Sequence, residues 1–188
     1  GTPISGNGHF IECMENMNAI EVENLTKFFG KFCAVDHINF EVKSGEIFGF
    51  LGANGAGKST TIRMLCGLLQ STAGTARVGG FDINTKPEKV KEHIGYMSQK
   101  FSLYEDLTVV ENINFYGKVY GLSDGELGER KEWVLEMANL KGRERSITGT
   151  LSGGWKQRLA LGCAVLHKPR IVFLDEPTSG VDPLMRRK

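Results

Sequence analysis

Gly52-Ala53-Asn54-Gly55-Ala56-Gly57-Lys58-Ser59-Thr60 follows the apolar run Ile47-Phe48-Gly49-Phe50-Leu51 and precedes Thr61-Ile62-Arg63-Met64-Leu65-Cys66-Gly67-Leu68-Leu69. The order reads strand, glycine-rich turn, helix, which is the context a phosphate-binding loop needs. Glycines keep side chains out of the way and permit the dihedrals that turn successive N–H groups into one concavity. The helix that follows adds its unpaired N-terminal donors and the positive end of its dipole. Lys58 then supplies a point charge for β- and γ-phosphates, and the Ser59 hydroxyl is placed to hold Mg²⁺.

The remaining composition sets bounds. A chain of 188 residues, 40% of them hydrophobic, is long enough for one domain, or one domain with a subdomain, around a sizeable core. With 23 basic against 22 acidic residues the net charge is +1, and no basic stripe argues for nucleic acid as the main partner. The longest apolar run, residues 159–166, is far short of a membrane span. Cys13, Cys33, Cys66 and Cys163 are widely spaced and read as reduced thiols, mostly core residues. Residues 1–17 lack the apolar stretch of a secretory signal and read as a flexible tail or linker, so a cytoplasmic protein is the expectation.

Taken in order, Ile20 to Leu25 and Ile38 to Val42 alternate apolar and polar residues, which predicts two half-buried strands of a small antiparallel sheet. Residues 26–30 between them read as a turn carrying Phe28 and Phe29. Phe29 is either a ring for stacking on a purine base or a packed hydrophobe. Thr75 to Val78 and Ile94 to Met97 read as short strands, separated by a polar helix from Pro87 to His93. Gln99, at the end of the second, is a solvated loop residue unless its neighbours give it work. Thr108 with Glu111 forms a capping box for a helix whose apolar face is Val109, Ile113, Tyr116, Val119 and Tyr120. A second helix is predicted over about Glu126 to Leu140, with Trp133, Val134 and Met137 at helical spacing.

Ser152-Gly153-Gly154-Trp155 then opens a helix that runs on to Leu166, Ser152 being a good N-cap, and the two glycines expose donors for a second anion site. Ile171 to Leu174 is a continuous apolar strand of the kind a buried parallel sheet requires. It ends in Asp175-Glu176, two acids that would be costly there unless used. Asp175 is suited to a Mg²⁺-bound water, and Glu176 to taking a proton from an attacking water. Ser179-Gly180-Val181-Asp182 follows at the sheet edge where ligands of open α/β sheets gather.

From about residue 18 onward, this ordered set resembles the ATP-binding cassette of ABC transporters. The resemblance identifies Gly52 to Thr60 as the Walker A loop, Gln99 as the Q-loop, and Leu151 to Trp155 as the signature. It identifies Val172 to Asp175 as the end of Walker B, Glu176 as the catalytic glutamate, and Ser179 to Asp182 as the D-loop; Phe29 stands where the family has an adenine-stacking aromatic. The implied fold is α/β: a RecA-like P-loop NTPase core (about 18–99 and 167–188) with an antiparallel β subdomain and an inserted helical subdomain (about 100–166), truncated at the C-terminal side. The implied cofactors are ATP and Mg²⁺, the metal held by Ser59, Gln99 and Asp175, and the implied catalytic residues are Lys58, Gln99 and Glu176. Nucleotide contacts would come from Phe29, Gly52, Asn54, Gly55, Ala56, Gly57, Lys58, Ser59 and Thr60. Asp182 would add a further contact, and in a head-to-tail dimer Ser152, Gly153 and Gly154 of the other cassette would add theirs.

Residues 47–69, 95–112 and 151–183 look most like exporter cassettes of the ABC-2 type. That implies an ATP-hydrolysing subunit with a second cassette and a transmembrane permease as partners, held at the inner face of the membrane. The alternative is a soluble ABC-type ATPase acting on ribosomes or DNA, but neither a charged inter-cassette linker nor a zinc cluster is visible. Two departures stand out. Trp155 replaces the usual signature glutamine, and His9, His37, His93 and His167 all precede the D-loop, so none can be the switch histidine. The expectation is weak or no hydrolysis by the 188-residue chain itself.

Overall fold

β1 (Asn18–Phe29) and β2 (Phe32–Lys43) pair antiparallel as a hairpin closed by Gly30 and Lys31, Gly30 taking the positive φ of +59° that so tight a turn demands. The computed structural model describes residues 18–53, 55–98 and 103–175, in two compact units, Gly1–His93 and Ile94–Lys188. In the first unit β3 (Ala73–Val78) and β4 (Phe81–Asp82) complete a four-stranded antiparallel sheet of order β2-β1-β3-β4. This is the small sheet that the alternation predicted. Ile20, Val22 and Leu25 of β1, Val35 and Val42 of β2, and Ala76 and Val78 of β3 are its buried hydrophobic residues.

Helix α1 (Lys58–Leu65) buries Thr61, Ile62, Met64 and Leu65, and α2 (Pro87–His93) opens on the expected proline and buries Val90. Met64 and Leu65 are fully enclosed, worth roughly 1.5–3 kcal/mol each by apolar burial.

Two expectations in this unit are corrected. Residues 26–29 belong to β1 rather than to a turn, because ladder pairing continues to Phe29↔Phe32 and leaves only two residues for the loop. Residues 47–51 form no strand. A continuous apolar run becomes a central strand only when neighbours supply a hydrogen-bonded ladder on its edges, and none of the described strands does. Phe48 and Phe50 instead close on Phe40 of β2 in a three-ring cluster with centroids 5.2–5.3 Å apart, while Ile47 and Leu51 are 100% and 97% exposed.

In the second unit β5 (Ile94–Met97) and β6 (Ile171–Leu174) pair in parallel, Met97 opposite Leu174. The expectation of a fully buried β6 is corrected. Phe173 is enclosed, but Val172 and Leu174, which share the opposite face of the strand, are each 41% exposed.

Helices α3 (Val109–Val119), α4 (Asp124–Met137) and α5 (Gly153–Ala164) pack around Val109, Ile113, Leu127, Val134, Leu140, Leu159 and Cys163. The Thr108–Glu111 capping box is present as read, and a second, Ser123–Glu126, starts α4 two residues before the predicted position. Val119, assigned to the apolar face of α3, lies 62% exposed at the helix end. Burial pushes the Cys163 thiol up to about 12, so it behaves as a small core hydrophobe.

Candidate functional site

The glycine-rich turn is shaped by two constraints. Gly55 and Gly57 adopt φ +85° and +80°, a region that L side chains enter at about 1–2 kcal/mol per residue. Gly57 is also the N-cap of α1, and a Cβ on it would collide with the carbonyl oxygen of Ala34 and come within 3.1 Å of Val35 Cγ2. The loop therefore sits directly on β2. Ala34 is the extra residue of a β-bulge, for Lys27 pairs with Val35 while its neighbour Phe28 pairs with Cys33.

The ammonium of Lys58 folds back over the turn and donates to the carbonyls of Gly52 (2.7 Å) and Ala53 (2.8 Å). Ala56 N–H bonds the Ala53 carbonyl at 3.2 Å, and the helix ladder begins at Thr61 N–H to Gly57 carbonyl, 2.8 Å. The N–H groups of Lys58, Ser59 and Thr60 thus lie ahead of the ladder at the dipole's positive end, with no acid in the first turn to oppose an anion. Phe29 stands on the hairpin whose bulge seats this loop and is 49% exposed, with the Lys27 ammonium 5.3 Å from its ring centroid. Phe29, Gly52 and residues 55–60 are therefore all carried by the first unit.

In the second unit Asp175 follows β6, is 5% exposed, and donates its N–H to the Met97 carbonyl at 2.9 Å. Parallel pairing thus places the chain just before position 99 beside the chain at position 175. Ser152 takes the extended N-cap conformation ahead of α5 as read, but its side chain makes no capping hydrogen bond. Ser152–Gly154 are not brought to Asp175: Met97 packs on Ala160 and Ala164, in the second half of the helix, about 10–17 Å along its axis from Gly153. Asn54, Gln99, Glu176 and Asp182 lie outside the described residues.

Sequence reading missed three supports. Ala34 seats the loop through a main-chain atom, for which no residue type gives a signal. The Arg143 guanidinium lies 4.0 Å from the Trp155 ring centroid, and Lys156 bonds Glu105 Oε1 at 2.7 Å, so both residues after the signature glycines are tied to distant chain.

Residues 35–179 match the model of the ABC transporter family. The chain belongs to that family. All of it aligns, at 51% identity over 187 residues, with the probable multidrug ABC transporter ATP-binding protein YbhF of Escherichia coli (strain K12), of which it covers 32%. The linearmycin resistance ATP-binding protein LnrL of Bacillus subtilis (strain 168) is 46% identical over 167 residues, 89% of this chain and 54% of that one. A solved ATP-binding subunit of an ABC transporter superposes with TM-score 0.78 at 33% identity, covering 88% of this chain and 69% of that one. The chain thus spans about a third to about half of these two curated relatives. This ABC chain accordingly has the expected fold, a P-loop NTPase core with antiparallel sheet and inserted helices.

Proposed function

We propose that this chain is the ATP-binding part of an ATP-hydrolysing subunit that drives an ABC-2 type membrane exporter, one of two cassettes joined head to tail on a permease, the 188 residues by themselves hydrolysing ATP weakly or not at all. The observation that carries the reading is the 52–60 turn, with its left-handed glycines and its lysine held across the loop. It fits a phosphate chain, since the first turn of α1 presents the positive end of the helix dipole and carries no acid. The names of the two relatives, one multidrug and one for linearmycin resistance, support the export branch. No helix among the described residues is long and apolar enough to cross a membrane, which accords with a separate permease and a place at the inner membrane face.

In this reading residues 18–99 and 167–188 make the nucleotide-binding core, 100–166 the helical subdomain, and 1–17 a tail or linker. Phe29 stacks on adenine, and the turn with Lys58, Ser59 and Thr60 holds the triphosphate. Ser59, Gln99 and Asp175 would hold Mg²⁺, which neutralises charge on the β- and γ-phosphates when bound. Glu176 takes the proton of the water that attacks the γ-phosphorus as the β–γ bridging bond breaks. Asp182 adds a contact to the nucleotide, and Ser152, Gly153 and Gly154 of the second cassette close over it.

The test is equilibrium ATP binding by this chain and by Lys58→Ala, each purified from membrane extracts together with whatever accompanies it. Losing a charge-assisted contact of about 1.5–3 kcal/mol predicts roughly 10- to 150-fold weaker binding. A polytopic membrane protein is the expected companion. Equal binding by the two would remove the nucleotide reading, and ribosomes or nucleic acid in place of the membrane protein would remove the exporter.

A further inference from the structure

The hairpin tip that carries Phe29 carries a second ring. Phe32 is the direct cross-strand partner of Phe29, on the far side of the two-residue Gly30-Lys31 loop, so the two side chains project from the same face of the ribbon with Cβ atoms about 5 Å apart. Neither buries the other: Phe29 is 49% and Phe32 63% exposed. Burying an aromatic ring is favourable, so two exposed rings facing one way mark a surface with something to cover it.

The position of the tip argues what covers it. Phe32 is two residues, roughly 7 Å, along β2 from Ala34, the bulged residue whose carbonyl abuts Gly57 of the phosphate loop. β2 is the edge strand of its sheet, and the loop lies against it. Phe40, farther along β2, is taken up by Phe48 and Phe50, whereas the rings of Phe29 and Phe32 at the hairpin tip lie open as a pair. Lys27, two residues before Phe29, sets its ammonium 5.3 Å from the Phe29 centroid and is held there by the Gln70 carbonyl at 2.7 Å, which favours an electron-rich π system on this face.

We propose that Phe32 is a second base-contacting residue of the nucleotide site, forming with Phe29 a two-ring seat that recognises a purine by its π surface. The proposal rests on the nucleotide reading above. The ligand class is purine nucleoside triphosphates, with ATP and GTP both accepted, because stacking does not read the ring's hydrogen-bonding edge.

The experiment compares binding of ATP, GTP and inorganic tripolyphosphate by the whole chain and by Phe32→Ala, Phe32→Leu, Phe32→Tyr and Phe29→Ala. Base-on-aromatic stacking predicts that Phe32→Ala weakens ATP and GTP about fivefold or more and leaves tripolyphosphate unchanged. Phe32→Tyr retains affinity, whereas Phe32→Leu, apolar but without a π face, does not. If Phe29→Ala weakens ATP and Phe32→Ala does not, Phe32 has no part in the seat and the nucleotide reading stands. If Phe32→Ala weakens tripolyphosphate equally, it acts on the loop's fold and the base contact is refuted. Failure of the unaltered chain to bind either ATP or tripolyphosphate would overturn the nucleotide reading itself.

Discussion

Gly55 and Gly57 offer a matched pair of substitutions that separates the cradle from its seat. Both have φ near +80°, so alanine at either pays about 1–2 kcal/mol for the left-handed region, offset by about 0.4–1 kcal/mol from a stiffer unfolded chain. Their surroundings differ. A Cβ on Gly55 meets nothing within 4 Å, whereas on Gly57 it strikes the Ala34 carbonyl, a main-chain atom that no rotamer change can move aside. Overpacking adds roughly 1–3 kcal/mol, so Gly55→Ala should cost about 1 and Gly57→Ala about 2–4 kcal/mol. With a urea slope near 2 kcal/mol/M the gap of ~2 kcal/mol is a midpoint difference of about 1 M. Tryptophan fluorescence is the wrong probe, since Trp133 and Trp155 both belong to the second unit. Hydrogen exchange at amides 61–65 of α1 reports on the right element. Equal losses for the two variants would show that the loop is not braced on β2 and that the geometry of its seat is irrelevant to its stability.

Two further outcomes follow from the second unit. Asn112 is fully buried on α3 and ties Tyr104 N–H (2.9 Å), Tyr104 carbonyl (2.9 Å), Thr108 carbonyl (3.1 Å) and the Thr148 hydroxyl (3.0 Å), so Asn112→Leu should cost about 2–4 kcal/mol in a denaturant titration; a loss below about 1 kcal/mol would sink that account. His167 donates from Nε2–H to the Ile94 carbonyl (3.0 Å) and stacks on Tyr120, while its Nδ1 is buried with no partner among the described residues; burial first, and the nearby Arg130 charge, hold its pKa below the ordinary 6.5. The unfolded chain then binds the proton more readily, so this group's contribution is complete at pH 8 and is lost as pH falls below about 6.5 toward the folded value. Urea midpoints at pH 8 and 5.5 should differ less in His167→Gln than in the parent, and an unchanged difference would refute the assignment.

What the sequence disclosed divides along the range of the interactions concerned. The Thr108–Glu111 capping box and the hairpin alternation act over a few residues, and both are in the structure at the residues that announced them. The Ser123–Glu126 box carries the same four-residue signal but lies ahead of the apolar periodicity of α4, which starts later than the helix does. Residues 47–51 failed for another reason. Their composition states that they can be buried, but burial depends on strands far away in the chain. Phe40 in β2, not a sheet neighbour, satisfied Phe48 and Phe50.

The site shows the same division inside a single loop. Its left-handed turns are written locally, in glycines at 55 and 57, and were legible for that reason. Its bracing is written nowhere in residue type: the Ala34 carbonyl that excludes a Cβ at Gly57 belongs to a backbone, and the bulge that presents it arises from a register shift between β1 and β2. Because the same bulge lies between Val35 and the hairpin tip, the dihedrals that hold the phosphate loop also govern where Phe29 and Phe32 stand. A change that removed the bulge, such as deletion of Ala34, would move the ring pair and the phosphate turn together. The two halves of the proposed nucleotide site are therefore coupled through one residue of main chain, and no side-chain substitution at 29 or 58 alone can reproduce that effect.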